Sequence, residues 1–184
     1  MKRVFAAIDI SEEVREEVRN YIDDLRIGFD GVPVKWEKPE KLHITVKFAG
    51  SVDVRQFEIF SEQIQAVAGA LEPFQLTIAG TGAFVKRRGP SVLWLGVEAV
   101  SAAGDPFALL SKLHEGENRL FRPHLTIARI KDARKAKDLI QKHKSRDFTS
   151  LAFFINELAI YESTLLPTGS LYSNLASFIF GDQR

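Results

Sequence analysis

The sequence predicts an α+β protein with largely antiparallel sheets, and three observations carry that prediction. Most apolar stretches have strand length, are rich in β-branched and aromatic residues, and follow one another directly instead of alternating with helices. No linker of flexible composition divides the 184 residues, so 1–184 forms one domain, or two intimately packed lobes. A weak repeat also runs through the chain. Two strands of the form His-x-Thr are each followed by a helix and then by two apolar strands, which predicts two similar halves.

Taken in order, Arg3–Ile10 reads as the first strand. "MKRVFAAIDI" begins like a secretory leader, but its apolar run meets Asp9 and continues into the acidic "SEEVREE", so no leader is expected. Ser11 is a helix N-cap with Glu12 and Glu13 in the first turn, where the helix dipole favours carboxylates. Val14, Val18, Ile22 and Leu25 keep helical spacing to about Arg26. "GFDGVPV" leads to a short strand at Val34–Trp36, and "EKPEK" turns the chain into the strand carrying His43. A helix over Val54–Ala70 keeps Phe57, Phe60, Ile64 and Val67 on one face.

"FQLTIAGTGAFV" and "SVLWLGVEAV" form a hairpin around the turn-rich "KRRGP". Asp105 caps, and Pro106 opens, a short helix reaching about His114. The His124 strand follows, then a basic helix over Asp132–Lys144. Strands over Phe153–Glu162 and Leu171–Phe180, separated by "LPTGS", close the chain.

Composition excludes several function classes. The chain is 45% hydrophobic and 27% charged, which is ordinary for a soluble globular protein. Its net charge of +1 supplies no overall field toward nucleic acid, so an anionic ligand must be met by local chemistry. The absence of cysteine removes disulfides, thiolate nucleophiles and Cys-ligated zinc, and fits a reducing interior. No run approaches the roughly 18 apolar residues of a membrane span. A cytoplasmic protein without membrane partners is expected. No P-loop, dinucleotide fingerprint or HExxH is present to support nucleotide or zinc chemistry.

The chemistry sits in "KLHITVKFAG" and "RPHLTIARI". Residues two apart on a strand share a face, so His43 and Thr45 point together while Ile44 and Val46 point to the other side. His124 and Thr126 stand in the same relation to Leu125 and Ile127. One His-x-Thr carries no weight, because a half-buried strand histidine is ordinarily packed and hydrogen-bonded. With four histidines in the chain, two such pairs by accident are expected on the order of once in a hundred.

If the two strands face across a cleft, the set suits in-line attack on a phosphodiester. One neutral imidazole accepts the nucleophile's proton, the other, protonated, donates to the leaving oxygen, and the hydroxyls hold non-bridging oxygens. Imidazole serves both roles because its ordinary pKa lies near 6.5. The residues alone do not say which histidine is acid and which is base. Neither motif has a carboxylate at ligand spacing, so no metal or other cofactor is expected.

The doubled H-x-T-x signature, in a chain of this size, resembles the two-histidine phosphoesterase superfamily, and within it the RNA 2′,3′-cyclic phosphodiesterases, also called 2′-5′ RNA ligases. The likeness spans nearly the whole chain: "RVFAAIDISEEVR", "LHITVKFAG", "GAFVKRRGPSVLWLGV", "RPHLTIAR" and "ESTLLPTGSLYSNLASF" each resemble a family segment. It implies a bilobal fold, two pseudo-twofold-related antiparallel sheets with flanking helices around a central cleft. It further implies His43 as proton donor, His124 as proton acceptor, and RNA ends bearing a 2′,3′-cyclic phosphate as partners, tRNA-like fragments among them. The expected product is a 2′-phosphate, and attack by an RNA 5′-hydroxyl would give a 2′-5′ linkage. A monomer is expected. The superfamily's cyclic-nucleotide hydrolases and a non-catalytic RNA-end binder are the alternative readings.

Phe48 and Arg129 each stand five residues after a motif histidine. The resemblance makes both ligand contacts, Phe48 stacking a base and Arg129 a cation at phosphate or base. Strict alternation gives both positions the parity of the buried aliphatics, so a bulge or strand end after Lys47 and Ala128 is needed. Lys47 has cleft-facing parity and is a further candidate for phosphate. The basic tip at 86–88 and the 132–144 helix, with Lys135, Lys137, Lys142, His143, Lys144 and Arg146, read first as solvated surface. His114, near a helix C-terminus, reads as structural, and Trp36 and Trp94 as core.

Overall fold

The structure, a computed structural model, describes residues 1–86, 90–100, 104–117, 120–167 and 169–182. The strands are β1 (Lys2–Asp9), β2 (Val34–Trp36), β3 (His43–Val52), β4 (Phe74–Phe84), β5 (Ser91–Val100), β6 (His124–Ile130), β7 (Phe153–Ile155), β8 (Glu157–Leu166) and β9 (Gly169–Ile179). The helices are α1 (Glu12–Arg26), α2 (Val54–Ala70), α3 (Pro106–Ser111) and α4 (Lys137–Lys144). Ser11 caps α1 and Asp105 caps α3, as their sequences predict. Asp53 and Gln56 add a reciprocal capping box at the start of α2.

All pairings are antiparallel, and the strands form one nine-stranded sheet in the order β7-β4-β5-β6-β3-β1-β8-β9, with β2 attached to β6. The two expected sheets are therefore two halves of one sheet. They join where β3 meets β6, through the single pair Ile44↔Leu125. Core residues Val14, Val18, Ile22 and Leu25 of α1, Phe60, Ile64 and Ala68 of α2 and Leu139 of α4 pack on the buried face. No helix among the described residues is long and apolar enough to cross a membrane.

Two predicted elements differ. The continuous strand expected over Phe153–Glu162 is two strands: β7 pairs with β4, whereas β8 pairs with β1 in the other half. Asn156 is the crossover, and its carbonyl accepts the Phe180 N–H at 2.8 Å. The helix expected from Asp132 begins only at Lys137. Asp132 instead accepts from the Arg134 backbone N–H at 3.0 Å and its guanidinium at 3.2 Å, an aspartate turn that competes with helix. In the basic tip, Lys86 is exposed, while Arg87 and Arg88 lie outside the described residues.

His143, expected on a solvated face, is wholly buried. Its Nε2–H reaches the carbonyls of Gly82 and Trp94, both at 3.1 Å, which leaves Nδ1 to accept from the Tyr21 hydroxyl at 2.8 Å. One imidazole thus ties α4 to α1 and to both strands of the β4–β5 hairpin. Burial holds its pKa below the ordinary histidine value and pushes the Tyr21 hydroxyl up to about 12. A buried histidine kept neutral contributes stability that is complete above about pH 6.5 and lost as pH falls, because the unfolded chain takes up the proton first. His143→Ala is expected to cost roughly 2–3 kcal/mol by leaving buried carbonyls unpaired. Urea unfolding at pH 7.5 checks the cost; the same measurement on wild type between pH 7 and 5 should show stability declining.

Candidate active site

Two β-bulges build the site. Along β1, Ala6 opposes Lys47 and Ala7 opposes Thr45, so Val46 is the extra residue in β3. Along β5, Leu93 opposes Ala128 and Trp94 opposes Thr126, so Ile127 is the extra residue in β6. Each bulge falls on the third residue after its histidine, one position earlier than the sequence argument placed it. A bulge reverses the side-chain parity of everything beyond it. Adjacent Ile127 and Ala128 are both fully buried, which is the signature of that reversal.

The reversal brings Phe48 and Arg129 round to the histidine face, where both are exposed and line the cleft. It takes Lys47 off that face. Lys47 Nζ donates to the Leu113 carbonyl at 2.7 Å and pairs with Glu117, and it is not among the cleft residues. The expected cleft-facing Lys47 is corrected on this ground: its parity was counted without the bulge. His114, read as structural, hydrogen-bonds the Val46 carbonyl at 2.8 Å, beside the extra residue of β3.

Ile44 and Leu125 oppose one another and are fully buried. Carrying that register one residue either way sets His43 against Thr126 and Thr45 against His124. Residues opposed across antiparallel strands share a face, so all four motif side chains emerge together. Directly opposed Cβ atoms on such strands lie about 5 Å apart and diagonal ones about 7–8 Å, so the imidazoles stand at diagonal distance.

The two imidazoles are held alike. His43 Nδ1 meets the Lys41 carbonyl and His124 Nδ1 the Arg122 carbonyl, each at 2.7 Å and each two residues back. Carbonyls only accept, so each Nδ1 carries hydrogen and each Nε2 is the working atom. His43 Nε2 accepts from the Thr45 hydroxyl at 3.1 Å. Aromatic rings wall both histidines: Phe5 (4.9 Å) and Tyr172 (5.4 Å) beside His43, Phe84 (5.2 Å) and Trp94 (6.4 Å) beside His124.

Burial among these rings lowers both histidine pKa values, and the Nδ1 hydrogen bonds only partly oppose it. The charge environments differ. Asp9 and Glu37 favour the protonated form of His43, no carboxylate does so for His124, and Arg129 disfavours it at both.

The cleft encloses about 620 Å³, and His43, Thr45, Phe48 and Arg129 are among its walls, whereas His124 and Thr126, nearer the start of β6, are not. Its other walls were not singled out from sequence. Arg3, Lys35, Lys38 and Lys41 add cations against one carboxylate, Glu37, which Arg129 Nε engages at 3.0 Å. Arg3 lies over the Phe48 ring at 4.9 Å. Trp36, read as core, also faces the cleft, because β2 takes over the edge of β6 where β3 leaves it. Tyr172 on β9 is a further wall. No cluster of three or more His, Asp or Glu among the described residues is arranged to hold a metal ion.

The chain resembles known proteins along its whole length. The family model described as LigT-like phosphoesterase matches residues 8–94 and 104–172. A protein named RNA 2′,3′-cyclic phosphodiesterase from Archaeoglobus fulgidus is 31% identical over 181 residues, covering 96% of this chain and 99% of that one. One of the same name from Thermotoga maritima is 33% identical, covering 94% and 92%. Among solved structures, E. coli LigT complexed with 3′-AMP superposes with a TM-score of 0.71 at 22% identity, covering 97% of this chain and 98% of that one. A Thermus thermophilus protein reaches 0.74 at 21%, covering 99% and 100%.

Gly82 opposes Trp94, and a Cβ added there would stand 2.1 Å from the indole Cζ2. Gly82→Ala must therefore displace the indole, a neighbour of the His124 ring. In an NMR titration of the imidazoles, His43 and His124 should both titrate below about 6.5, the ordinary value. In Gly82→Ala, the His124 resonances and midpoint should shift while those of His43 stay.

Proposed function

The chain belongs to the LigT-like phosphoesterase family, and on that premise we propose that it hydrolyses 2′,3′-cyclic phosphates at RNA ends to 2′-phosphates, without a metal ion. The observation that carries this reading is the pair of Nδ1-anchored imidazoles beside threonine hydroxyls on strands joined at Ile44↔Leu125. The relatives' shared name gives the substrate class.

Water is activated by His124, whose neutral Nε2 accepts its proton as oxygen attacks phosphorus. The bond from phosphorus to the 3′ oxygen breaks, and His43 Nε2–H protonates the leaving alkoxide. The phosphate stays on the 2′ oxygen. The roles of His43 as acid and His124 as base are those the family resemblance implies; burial lowers both imidazoles, and Asp9 and Glu37, which favour the charged form of His43 alone, support that assignment. Thr45 and Thr126 turn their hydroxyls onto non-bridging oxygens, where charge grows. For Thr45 this means giving up its resting bond to His43. Arg129 adds a cation, and Phe48, with Arg3 over it, offers a ring for a base.

An RNA 5′-hydroxyl in the place of water gives a 2′-5′ linkage by the same proton transfers. Hydrolysis and ligation are then one mechanism with two nucleophiles. A monomer suffices for this chemistry, because both motifs lie on one chain.

An oligoribonucleotide ending in 2′,3′-cyclic phosphate, assayed with EDTA present, tests the reading. Wild type should turn over, and His43→Ala and His124→Ala should each lose on the order of a hundredfold or more in kcat/KM. Both histidine pKa values are lowered, so kcat/KM should follow a bell centred below about pH 6.5 and fall roughly tenfold per unit on its alkaline side. Binding without turnover, or an activity abolished by chelation, would overturn the proposal.

A further inference from the structure

Part of the cleft wall is the tip of the β8–β9 hairpin, and two ammonium groups converge on it. A Cβ built on Gly169 would lie 3.7 Å from Lys41 Nζ and 4.0 Å from Lys35 Nζ. Gly169 has φ +126, a conformation in which a side chain is strained, so the volume between the two cations is left open. Neither lysine has a carboxylate within ion-pair distance among the described residues: Lys38 takes Glu40, and Arg129 takes Glu37. Ser170, next along the hairpin, lines the same cleft.

Two unneutralised cations facing one open volume repel each other, and an anion between them removes that repulsion. Among the described residues, other lysines and arginines are either paired, as at Lys2–Glu162, Lys47–Glu117 and Arg146–Asp24, or stand apart from one another; Lys35 and Lys41 differ in that both ammonium groups border one open volume of the cleft. That convergence, inside the cleft, marks a place suited to an anion. Its position relative to the chemistry is fixed by the chain. Lys41 stands two residues before His43, so their Cα atoms are within about 7 Å. The Lys41 carbonyl is also the group that holds His43 Nδ1.

We infer that Lys35 and Lys41 form a second phosphate subsite, taking the phosphate on the 5′ oxygen of the terminal nucleotide while its cyclic phosphate meets the histidines. The inference rests on reading the cleft as a cyclic-phosphate site. A nucleotide inside an RNA chain carries this 5′ group as a diester, and a 5′-phosphorylated mononucleotide carries it as a monoester. Lysines, as point charges on flexible stems, accept either. The subsite makes the protein prefer RNA ends and 5′-phosphorylated nucleotides over bare nucleoside cyclic phosphates.

The test compares wild type with Lys35→Gln/Lys41→Gln, both folded by circular dichroism and urea midpoint. Substrates are a dinucleotide ending in 2′,3′-cyclic phosphate, its 5′-phosphorylated mononucleotide counterpart, and adenosine 2′,3′-cyclic phosphate. The double variant should lose about tenfold or more in kcat/KM on the first two and less than about twofold on the third. Loss on the dinucleotide alone would confine the subsite to the diester. Equal loss on all three, or none, would overturn the inference. Calorimetry with adenosine 3′,5′-bisphosphate and adenosine 3′-phosphate runs beside it. Wild type should bind the bisphosphate about tenfold more tightly, and the double variant should not. If wild type turns over no cyclic phosphate but keeps that preference, the enzymatic reading fails and the subsite stands. If it turns over all three substrates without the preference, the subsite fails and the enzymatic reading stands.

Discussion

Ile44 and Leu125 are fully buried, and the pairing between them is where two halves become one sheet. That contact constrains everything at the cleft. Because aliphatic side chains there must point into the core, their neighbours in sequence must point out, and those neighbours are His43, Thr45, His124 and Thr126. Shifting either strand by one residue would bury its imidazole and its hydroxyl and expose two aliphatics, which the hydrophobic effect opposes. The register that protects the core is thus the register that assembles the motif. The two bulges then end the arrangement, each three residues past its histidine, and return Phe48 and Arg129 to the same face.

Charge is distributed to match. The chain is nearly neutral overall, at +1, yet its cleft gathers five cations around one carboxylate. Much of the remaining surface pairs its charges locally, as in the i,i+3 contacts of α1. Such exposed pairs contribute little to stability but cancel the field outside the cleft. An anion approaching the cleft therefore meets a cationic wall beside His43.

Much of this was legible in the sequence. α2 falls at Val54–Ala70 and β2 at Val34–Trp36, because caps, periodicity and turn residues agree there. The paired motifs were legible because alternation is local. What was not legible depends on partners distant in sequence. The apolar residues on both sides of Asn156-Glu157 make Phe153–Glu162 look like one strand and hide a crossover, since β7 and β8 satisfy different neighbours. Lys47 was placed by a parity that a bulge against β1 reverses. Trp36 looks like a core aromatic, and only the exchange of β3 for β2 along the edge of β6 reveals a cleft beside it. The Nδ1 bonds to Lys41 and Arg122 came from backbone carbonyls, which no residue type announces.

The lowered histidine pKa values pose a problem that the cleft's charges resolve. Acid–base catalysis needs one protonated imidazole, yet burial and Arg129 both disfavour protonation at His43 and His124. An empty site near neutrality therefore holds its imidazoles mostly uncharged. A bound phosphate changes the balance, since its negative charge offsets Arg129 and favours the imidazolium. Linkage makes this reciprocal: if the anion favours the proton at His43, the proton favours the anion by the same factor. His43 also sits in the field of Asp9 and Glu37, which favours a proton there, and no carboxylate does the same at His124. On this argument the acid is made by the substrate. Aromatic walls depress both imidazoles, and the carboxylates near His43 are what distinguishes the charge surroundings of two otherwise similar histidines.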